Sequence, residues 1–150
     1  MAATTPGGTS PADDMFAADV ASRRLGIELL SVEHGTATLR MRVTEVMVNG
    51  HDIAHGGYLF LFADSAFACA CNSYGPTTVA ARADITFTVP AHLGDELVAT
   101  ATERTRFGRS GIYDVTVFRD DGDARTVVAE FRGHSRTIRA TSTDDDLSTT

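Results

Sequence analysis

Apolar residues run almost without interruption through the middle of the chain, from about residue 57 to residue 73. Large apolar side chains recur there at offsets of three and four, which is the period of an α-helix. Because nearly every side of this helix is apolar, we expect it to be buried. Asn72, Ser73 and Gly75 follow it and mark its end. One long buried helix is therefore the predicted centre of the fold.

Six other segments have the composition or the alternation of β-strands. The clearest is 36–43, where apolar and polar residues alternate as in a half-buried strand. The other predicted strands are 27–33, 77–88, 96–106, 110–120 and 124–138, separated by turn residues. This order predicts an α+β fold in which one antiparallel β-sheet wraps around the long central helix.

The two ends of the chain differ from its middle in composition. Residues 1–12 are small and polar, and residues 140–150 form an acidic tail, so we expect both to be disordered. Residues 13–139 are predicted to form one domain, which suits a chain of 150 residues. Its first element is a short helix that is capped by Asp13 or Asp14 and runs to about Arg24.

Composition excludes several classes of function. The net charge of −7 argues against general nucleic-acid binding, and no apolar run is long enough to span a membrane. Cys69 and Cys71 have neither the spacing of a zinc site nor that of a disulfide framework, so no metal is expected. Buried free thiols indicate a reducing compartment, and we expect a cytoplasmic protein. The N-terminus lacks the pattern of a signal peptide.

Asp64 is the one charged residue of the central helix. An unpaired buried carboxylate costs several kcal/mol by rough estimate. It therefore needs hydrogen-bond partners, a partner subunit or a function.

His55, Gly56 and Gly57 lie directly before the first turn of this helix. The free N–H groups of a helix start suit an anion or a polarised carbonyl oxygen. Asp64 follows about two turns later, too far for both features to act on one small group within one chain. A second copy of the chain supplies the missing half if the two features work together. Oxyanion donors and a desolvated carboxylate are the components of acyl-transfer chemistry.

The pattern N-G-H-x-x-x-H-G-G-x-x-F-x-x-A-D-x-A-F-A-x-A-C-N-S-x-G, at residues 49–75, resembles the PaaI-type thioesterases of the hotdog-fold superfamily, which are associated with phenylacetic acid degradation. Residues 84–90, 108–115 and 131–135 resemble the same family in order and spacing, and the likeness covers about residues 14–139. The resemblance implies a hotdog fold and hydrolysis of acyl-CoA, such as phenylacetyl-CoA, hydroxyphenylacetyl-CoA or a similar aryl or medium-chain ester. It also implies a homodimer with sites at the interface, often paired into a homotetramer, and no cofactor, since coenzyme A is part of the substrate.

The family pattern assigns a role to each candidate residue, and each role has a structural alternative. Asp64 activates the attacking water as a general base, with direct nucleophilic attack as the less favoured role. Its apolar surroundings are expected to raise its pKa. Gly56 and Gly57 polarise the carbonyl through their N–H groups. The alternative is that they serve only the entry of the backbone into the helix. Asn49 and His55 contact the site, or stabilise a turn and cap the helix.

Arginines close to the turn between the predicted strands 96–106 and 110–120 form the predicted contact with coenzyme A. The planar guanidinium group of an arginine suits phosphate because it can donate two parallel hydrogen bonds. Arg104 and Arg106 stand two apart and are expected to share a face of their strand. Ordinary solvated surface charge is the alternative. The predicted substrate-binding set is Arg109, Gly111, Arg106 and Arg104.

Three other functions stay open at this point. They are a non-catalytic acyl-CoA-binding module, a hotdog hydratase or dehydratase acting on acyl thioesters, and a purely structural oligomer. Phe60, Phe67 and Phe87 are candidates for an acyl pocket, but core packing is the favoured role for each.

Overall fold

One long helix, α3 (Gly56–Cys71), lies against a sheet of six strands in the computed structural model, which describes residues 9–138. Two short helices, α1 (Pro11–Ala17) and α2 (Val20–Arg24), precede the sheet, and a 3₁₀ helix (Glu45–Met47) precedes α3. The strands are β1 (Glu28–Glu33), β2 (Thr36–Arg42), β3 (Thr78–Phe87), β4 (Glu96–Phe107), β5 (Ser110–Asp120) and β6 (Arg125–Thr137). The predicted α+β architecture is confirmed.

The sheet has the order β1-β2-β4-β5-β6-β3, and every neighbouring pair is antiparallel. Its helix-facing side forms the core, where Leu39 and Val115 are fully buried. Burying one such side chain contributes about 1.5–3 kcal/mol. The alternation predicted for β2 is confirmed, because its apolar residues face α3 and its polar residues do not.

The two edge strands, β1 and β3, differ in their exposed surface. Strand β3 has ten residues and pairs only with β6 within the described part of the chain. Its ends expose Val79 and Phe87, with 42% and 50% of their surfaces accessible. Strand β1 is shorter, is interrupted between Leu29 and Ser31, and carries a glutamate at each end. Strand β1 also exposes one large apolar side chain, Leu30 at 47%, so the β3 edge differs in being longer and in exposing two.

The N-terminal region differs from the prediction in two ways. The predicted single helix is two helices, because the Asp19 side chain accepts the Ser22 N–H at 2.9 Å and starts a new helix there. The cap of α1 is Ser10 rather than Asp13 or Asp14, so the first helix begins at Pro11 and includes the buried Ala12. The other predicted tail residues, 1–8 and 140–150, lie outside the described residues, as does residue 139, the predicted end of the domain.

The predicted burial of α3 on nearly every side is wrong for one stripe of the helix. Residues at offsets of three and four along that stripe are partly covered or exposed, whereas every other residue from Leu59 to Cys71 is buried. The sequence pattern is apolar there because it does not distinguish a surface covered by the same chain from one left for a partner. The stripe consists of Gly57, Phe60, Leu61, Asp64 and Ala68.

Within residues 9–138, no helix combines the length and hydrophobicity needed to cross a membrane.

Candidate active site

The first turn of α3 has two unused hydrogen-bond donors. His55 occupies the N-cap position, and its side chain does not cap the helix. Its carbonyl accepts the N–H of Tyr58 at 3.0 Å, but the N–H groups of Gly56 and Gly57 have no acceptor among the described residues. These two groups lie at the positive end of the helix dipole, so they form a ready site for a polarised carbonyl oxygen.

The two glycines have different surroundings. A Cβ atom on Gly56 would lie 2.6 Å from the Cζ atom of Phe87, so the Phe87 ring packs directly on this residue. A Cβ atom on Gly57 would meet nothing within 4 Å. Packing inside the chain therefore explains why residue 56 is glycine and leaves residue 57 unexplained. The open space at Gly57 leaves room for a group from outside the chain to approach the backbone closely.

Asp64 is partly buried, and its carboxylate has no hydrogen-bond partner within the described residues. Burial is the main reason that its pKa is raised, because water no longer stabilises the charged form fully. The negative charge of Asp19 raises the pKa further. The direction agrees with the prediction. A carboxyl group with a raised pKa and no structural partner is suited to proton transfer.

Asp19 is a residue that the sequence reading missed. Its Oδ2 accepts the hydroxyl of Ser22 at 2.6 Å, and the Ser22 and Ser65 hydroxyls lie 2.7 Å apart. These contacts hold the start of α2 against α3 beside Asp64. The sequence signals Asp19 as a helix cap, but only the tertiary fold brings it near a residue 45 positions later.

The loop before α3 is organised by Asn49. Its side-chain oxygen accepts the N–H of His51 at 2.9 Å and that of Ile53 at 3.2 Å. Asn49 therefore stabilises this turn, which is the structural role expected for it as the alternative to contact with the site. Its side-chain NH₂ has no hydrogen-bond partner within residues 9–138. The exposed His55 is anchored through its backbone N–H, which donates to the Met47 carbonyl at 2.8 Å. Both residues lie at the same end of α3 as the free N–H groups.

A cavity of about 290 Å³ lies at the other end of α3, between the helix and the β4–β5 turn. We call it the polar cavity, because hydroxyl groups and two arginines line much of its wall. Arg109 is exposed, and its guanidinium has no carboxylate partner within the described residues. The lining includes Tyr74, Thr78, Arg106, Arg109, Tyr113 and Ser135.

The predicted pairing of Arg104 with Arg106 on one face is wrong. The register of β4 shifts between Glu103 and Thr105, and this bulge leaves Arg104 as the extra residue. Arg104 contacts Asp114 at 3.5 Å on the outer face of the sheet. Arg106 contacts Glu103 at 3.1 Å and lies 3.7 Å from the ring centre of Tyr74, on the helix side. Only Arg106 joins Arg109 at the polar cavity.

Gly111 lies within β5 and is buried, so it is not open to a ligand. A Cβ atom there would lie 2.9 Å from the Ser135 hydroxyl and 2.9 Å from the Tyr113 ring. Packing accounts for this glycine without a substrate. Tyr113 itself is fixed by its hydroxyl, which donates to Glu103 at 3.1 Å.

The two thiols of α3 are free and buried, as predicted. Burial raises the pKa of Cys69 and of Cys71 to about 12, so both are protonated at neutral pH. Within residues 9–138, no group of three or more His, Cys, Asp or Glu side chains is arranged to hold a metal ion.

Comparison with known proteins identifies the family. The sequence model of the Thioesterase superfamily matches residues 51–126. The acyl-coenzyme A thioesterase PaaI of Escherichia coli is 41% identical over 131 residues, which cover 87% of this chain and 91% of that protein. A putative esterase of Archaeoglobus fulgidus is 34% identical over 101 residues. The aligned residues make up 67% of this chain and 66% of that protein.

Solved structures of PaaI proteins have the same fold as this chain. The structure of the E. coli PaaI protein, from the phenylacetic acid degradation operon, superposes with a TM-score of 0.83 and covers 87% of this chain and 92% of that one. A mutant of the PaaI protein of Thermus thermophilus is 32% identical, with a TM-score of 0.74, and covers 80% of this chain and 100% of that one.

The fold is a hotdog fold, which the chain shares with the E. coli PaaI protein. The chain belongs to the thioesterase superfamily. The resemblance to PaaI-type thioesterases read from the sequence is confirmed, and so is the assignment to the enzymes.

Proposed function

We propose that this protein hydrolyses acyl-CoA thioesters to a free acid and coenzyme A. Phenylacetyl-CoA, hydroxyphenylacetyl-CoA and similar aryl or medium-chain esters are the proposed substrates. The observation that carries this proposal is the pair of unused N–H groups at Gly56 and Gly57 together with the unpartnered carboxyl group of Asp64. The name of the E. coli relative, an acyl-coenzyme A thioesterase, supports the same reaction.

The proposed reaction needs a base and an oxyanion site. Water attacks the thioester carbon while Asp64 takes one of its protons, and a C–O bond forms. The carbonyl oxygen becomes an oxyanion, which the N–H groups of Gly56 and Gly57 stabilise. The C–S bond then breaks, and the coenzyme A thiolate leaves and takes up the proton. The raised pKa of Asp64 suits it to both proton transfers. Apart from coenzyme A, which belongs to the substrate, this route uses no cofactor or metal.

We propose that each active site is shared by two copies of the chain. Asp64 follows Gly56 by eight residues, which corresponds to roughly 12 Å along a helix axis. One chain therefore does not bring both groups to one carbonyl. The open stripe of α3 and the exposed apolar edge at β3 offer the surface that a second copy covers. A dimer through β3 is the proposed unit, with a homotetramer as its proposed assembly.

The polar cavity is the proposed path of the coenzyme A arm. Arg109 has its guanidinium available for phosphate, and Arg106 lies beside it although Glu103 shares its charge. Arg104 is the weakest member of the proposed set, because it pairs with Asp114 on the outer face. Gly111 does not line the cavity, and its proposed contribution is to leave room for Tyr113 and Ser135, which do.

Asn49 and His55 keep proposed supporting roles. The Asn49 side-chain NH₂ is available for the thioester carbonyl or the water, while its oxygen fixes the loop. His55 stands at the rim of the same site. The free thiols fit a reducing compartment, and the cytoplasm is the proposed location.

The test is release of thiol from a panel of acyl-CoA esters, with phenylacetyl-CoA included, for the wild type and for Asp64→Asn. The wild type is expected to turn over, and the variant to lose about a hundredfold or more, the scale of a lost general base. An unaffected variant would contradict the role of Asp64. If the wild type binds the esters but cleaves none of them, the protein is a binding module and the hydrolase proposal is wrong.

A further inference from the structure

A second cavity, of about 350 Å³, lies at the start of α3 beside the free N–H groups. We call it the apolar cavity, because its walls contain no ionisable side chain. Its one side-chain hydroxyl, that of Thr88, already donates to the carbonyl of Val127. The cavity therefore offers a ligand almost nothing but hydrophobic contact. The lining consists of Ile53, Ala54, Gly56, Leu59, Phe87 and residues 88–91.

Phe87 is the largest residue of this cavity and does not belong to the core. Half of its surface is accessible, whereas Phe67 is fully buried and Phe60 is partly buried against Phe131. Core packing, the role favoured by the sequence, is therefore wrong for Phe87 and correct for Phe67. The Phe87 ring instead covers Gly56 and forms a wall next to the proposed oxyanion site.

We propose that the apolar cavity holds the acyl group of the substrate and that the Phe87 ring sets the size and shape of the acyl group it accepts. This inference rests on the proposed thioesterase function, and it names the subsite and residue that select the acyl group. A thioester carbonyl bound at Gly56 and Gly57 has an apolar substituent on one side and a polar coenzyme A arm on the other. The apolar cavity of one chain matches the acyl half. Its polar cavity lies at the opposite end of α3, so the partner chain supplies the polar cavity that matches the coenzyme A half.

The aromatic wall of the cavity, rather than its volume of about 350 Å³, narrows the substrate class. One chain encloses that volume, and the proposed partner along β3 changes it. An aromatic wall favours a ring, because aromatic pairs gain about 0.5–1.5 kcal/mol beyond their burial.

The experiment compares kcat/KM for phenylacetyl-CoA and octanoyl-CoA in the wild type, Phe87→Leu and Phe87→Ala. Both variants are expected to shift the ratio towards octanoyl-CoA, by about tenfold or more for Phe87→Ala, the scale of one lost hydrophobic contact in a pocket. Phe87→Leu keeps an apolar residue on the β3 edge if the alanine variant does not fold. Val79→Ala is the matched control, since it removes exposed apolar surface from the other end of β3 and should keep the wild-type ratio.

The oligomeric mass of each variant in solution is measured alongside the kinetics, to show whether the dimer persists. An unchanged ratio in both Phe87 variants would overturn the acyl-subsite inference while leaving the hydrolase proposal intact, provided that the wild type cleaves either ester. A ratio that changes equally in Val79→Ala, or only together with loss of the dimer, would assign Phe87 to the subunit interface and also overturn it. A wild type that cleaves no ester would remove the hydrolase proposal and this inference together.

Discussion

The two ends of α3 are built in opposite ways. At the C-terminal end the polar side chains are bonded: Asn72 donates to the Thr78 carbonyl at 2.9 Å and accepts the Thr78 N–H at 2.9 Å. Ser73 donates to the Ala70 carbonyl at 2.7 Å and accepts the Gly35 N–H at 2.8 Å. Between the N-terminus and the middle of the helix, by contrast, the N–H groups of Gly56 and Gly57 and the carboxyl group of Asp64 have no partner within residues 9–138.

This difference separates stability from function within one helix. Buried polar groups are normally hydrogen-bonded, and the C-terminal end follows that rule. Unused donors and an unpartnered carboxyl group reduce stability unless something else binds them, and such exceptions concentrate at functional sites. Substitutions of the hydrogen-bonded Asn72 and Ser73 should therefore change folding, and substitutions of Gly57 and Asp64 should change activity.

The largest effect on activity is expected from Asp64→Asn, with a loss of about a hundredfold or more in kcat. The exposed Asp123→Asn, in the β5–β6 turn, is the control and should retain wild-type rates. A steady-state thiol-release assay on both variants measures the contrast. Equal losses in the two variants would show that net charge, rather than Asp64, matters.

The same variant has a predicted effect on stability that depends on pH. Because the folded-state pKa of Asp64 is raised, the charged form is disfavoured in the folded protein, and wild-type stability falls as pH rises through that pKa. Asp64→Asn should be more stable than the wild type at neutral pH, and the difference should vanish below the pKa of an unfolded carboxyl group. Urea unfolding at several pH values measures it, and a variant less stable at neutral pH would indicate a structural role for Asp64.

At the opposite end, Asn72→Ala should lower the free energy of unfolding by about 1–3 kcal/mol, because it leaves buried backbone groups of Thr78 unpaired. Its activity per folded molecule should stay near that of the wild type. Urea unfolding together with the thiol-release assay separates the two quantities. A variant that keeps wild-type stability but loses activity would show that Asn72 acts in the reaction rather than in folding.

The adjacent glycines sharpen the comparison within one turn. Gly56→Ala should lose about 1–3 kcal/mol of stability by overpacking against Phe87. Gly57→Ala has open space and should keep its stability or gain about 0.5–1 kcal/mol. Its activity should fall, since the new methyl group stands where a ligand approaches. Rescue of Gly56→Ala stability by Phe87→Ala is the control for the proposed clash.

The smallest effect is expected from thiol reagents. Burial raises the pKa of Cys69 and Cys71 to about 12, so almost no thiolate is present at pH 8. Iodoacetamide should leave the native protein unlabelled and fully active, and mass spectrometry should find both cysteines modified only after unfolding. Rapid labelling of the native protein would mean that the C-terminal half of α3 opens readily.

The sequence predicted those features that local pattern determines. Alternation placed β2 and its buried face, and helical spacing placed α3 within two residues at each end. Turn residues separated the last four strands correctly. These elements follow from periodicity and turn chemistry alone.

The features that were not predicted depend on tertiary contacts. A bulge in β4 sent Arg104 and Arg106 to opposite faces, and simple alternation does not anticipate a bulge. The proximity of Asp19 to Asp64 and the packing of Phe87 on Gly56 join residues far apart in the chain. The open stripe of α3 is apolar like the rest of the helix, so hydrophobicity did not reveal it.

The central claim is that one active site takes Gly56 and Gly57 from one chain and Asp64 from another. Its most direct test mixes two variants that are each expected to be inactive, Asp64→Asn and Gly57→Val, with a different affinity tag on each. A mixed dimer of these variants has one site in which both features are intact. Mixed dimers purified through both tags should recover thioesterase activity that neither parent shows. Mixed dimers as inactive as their parents would contradict the shared site.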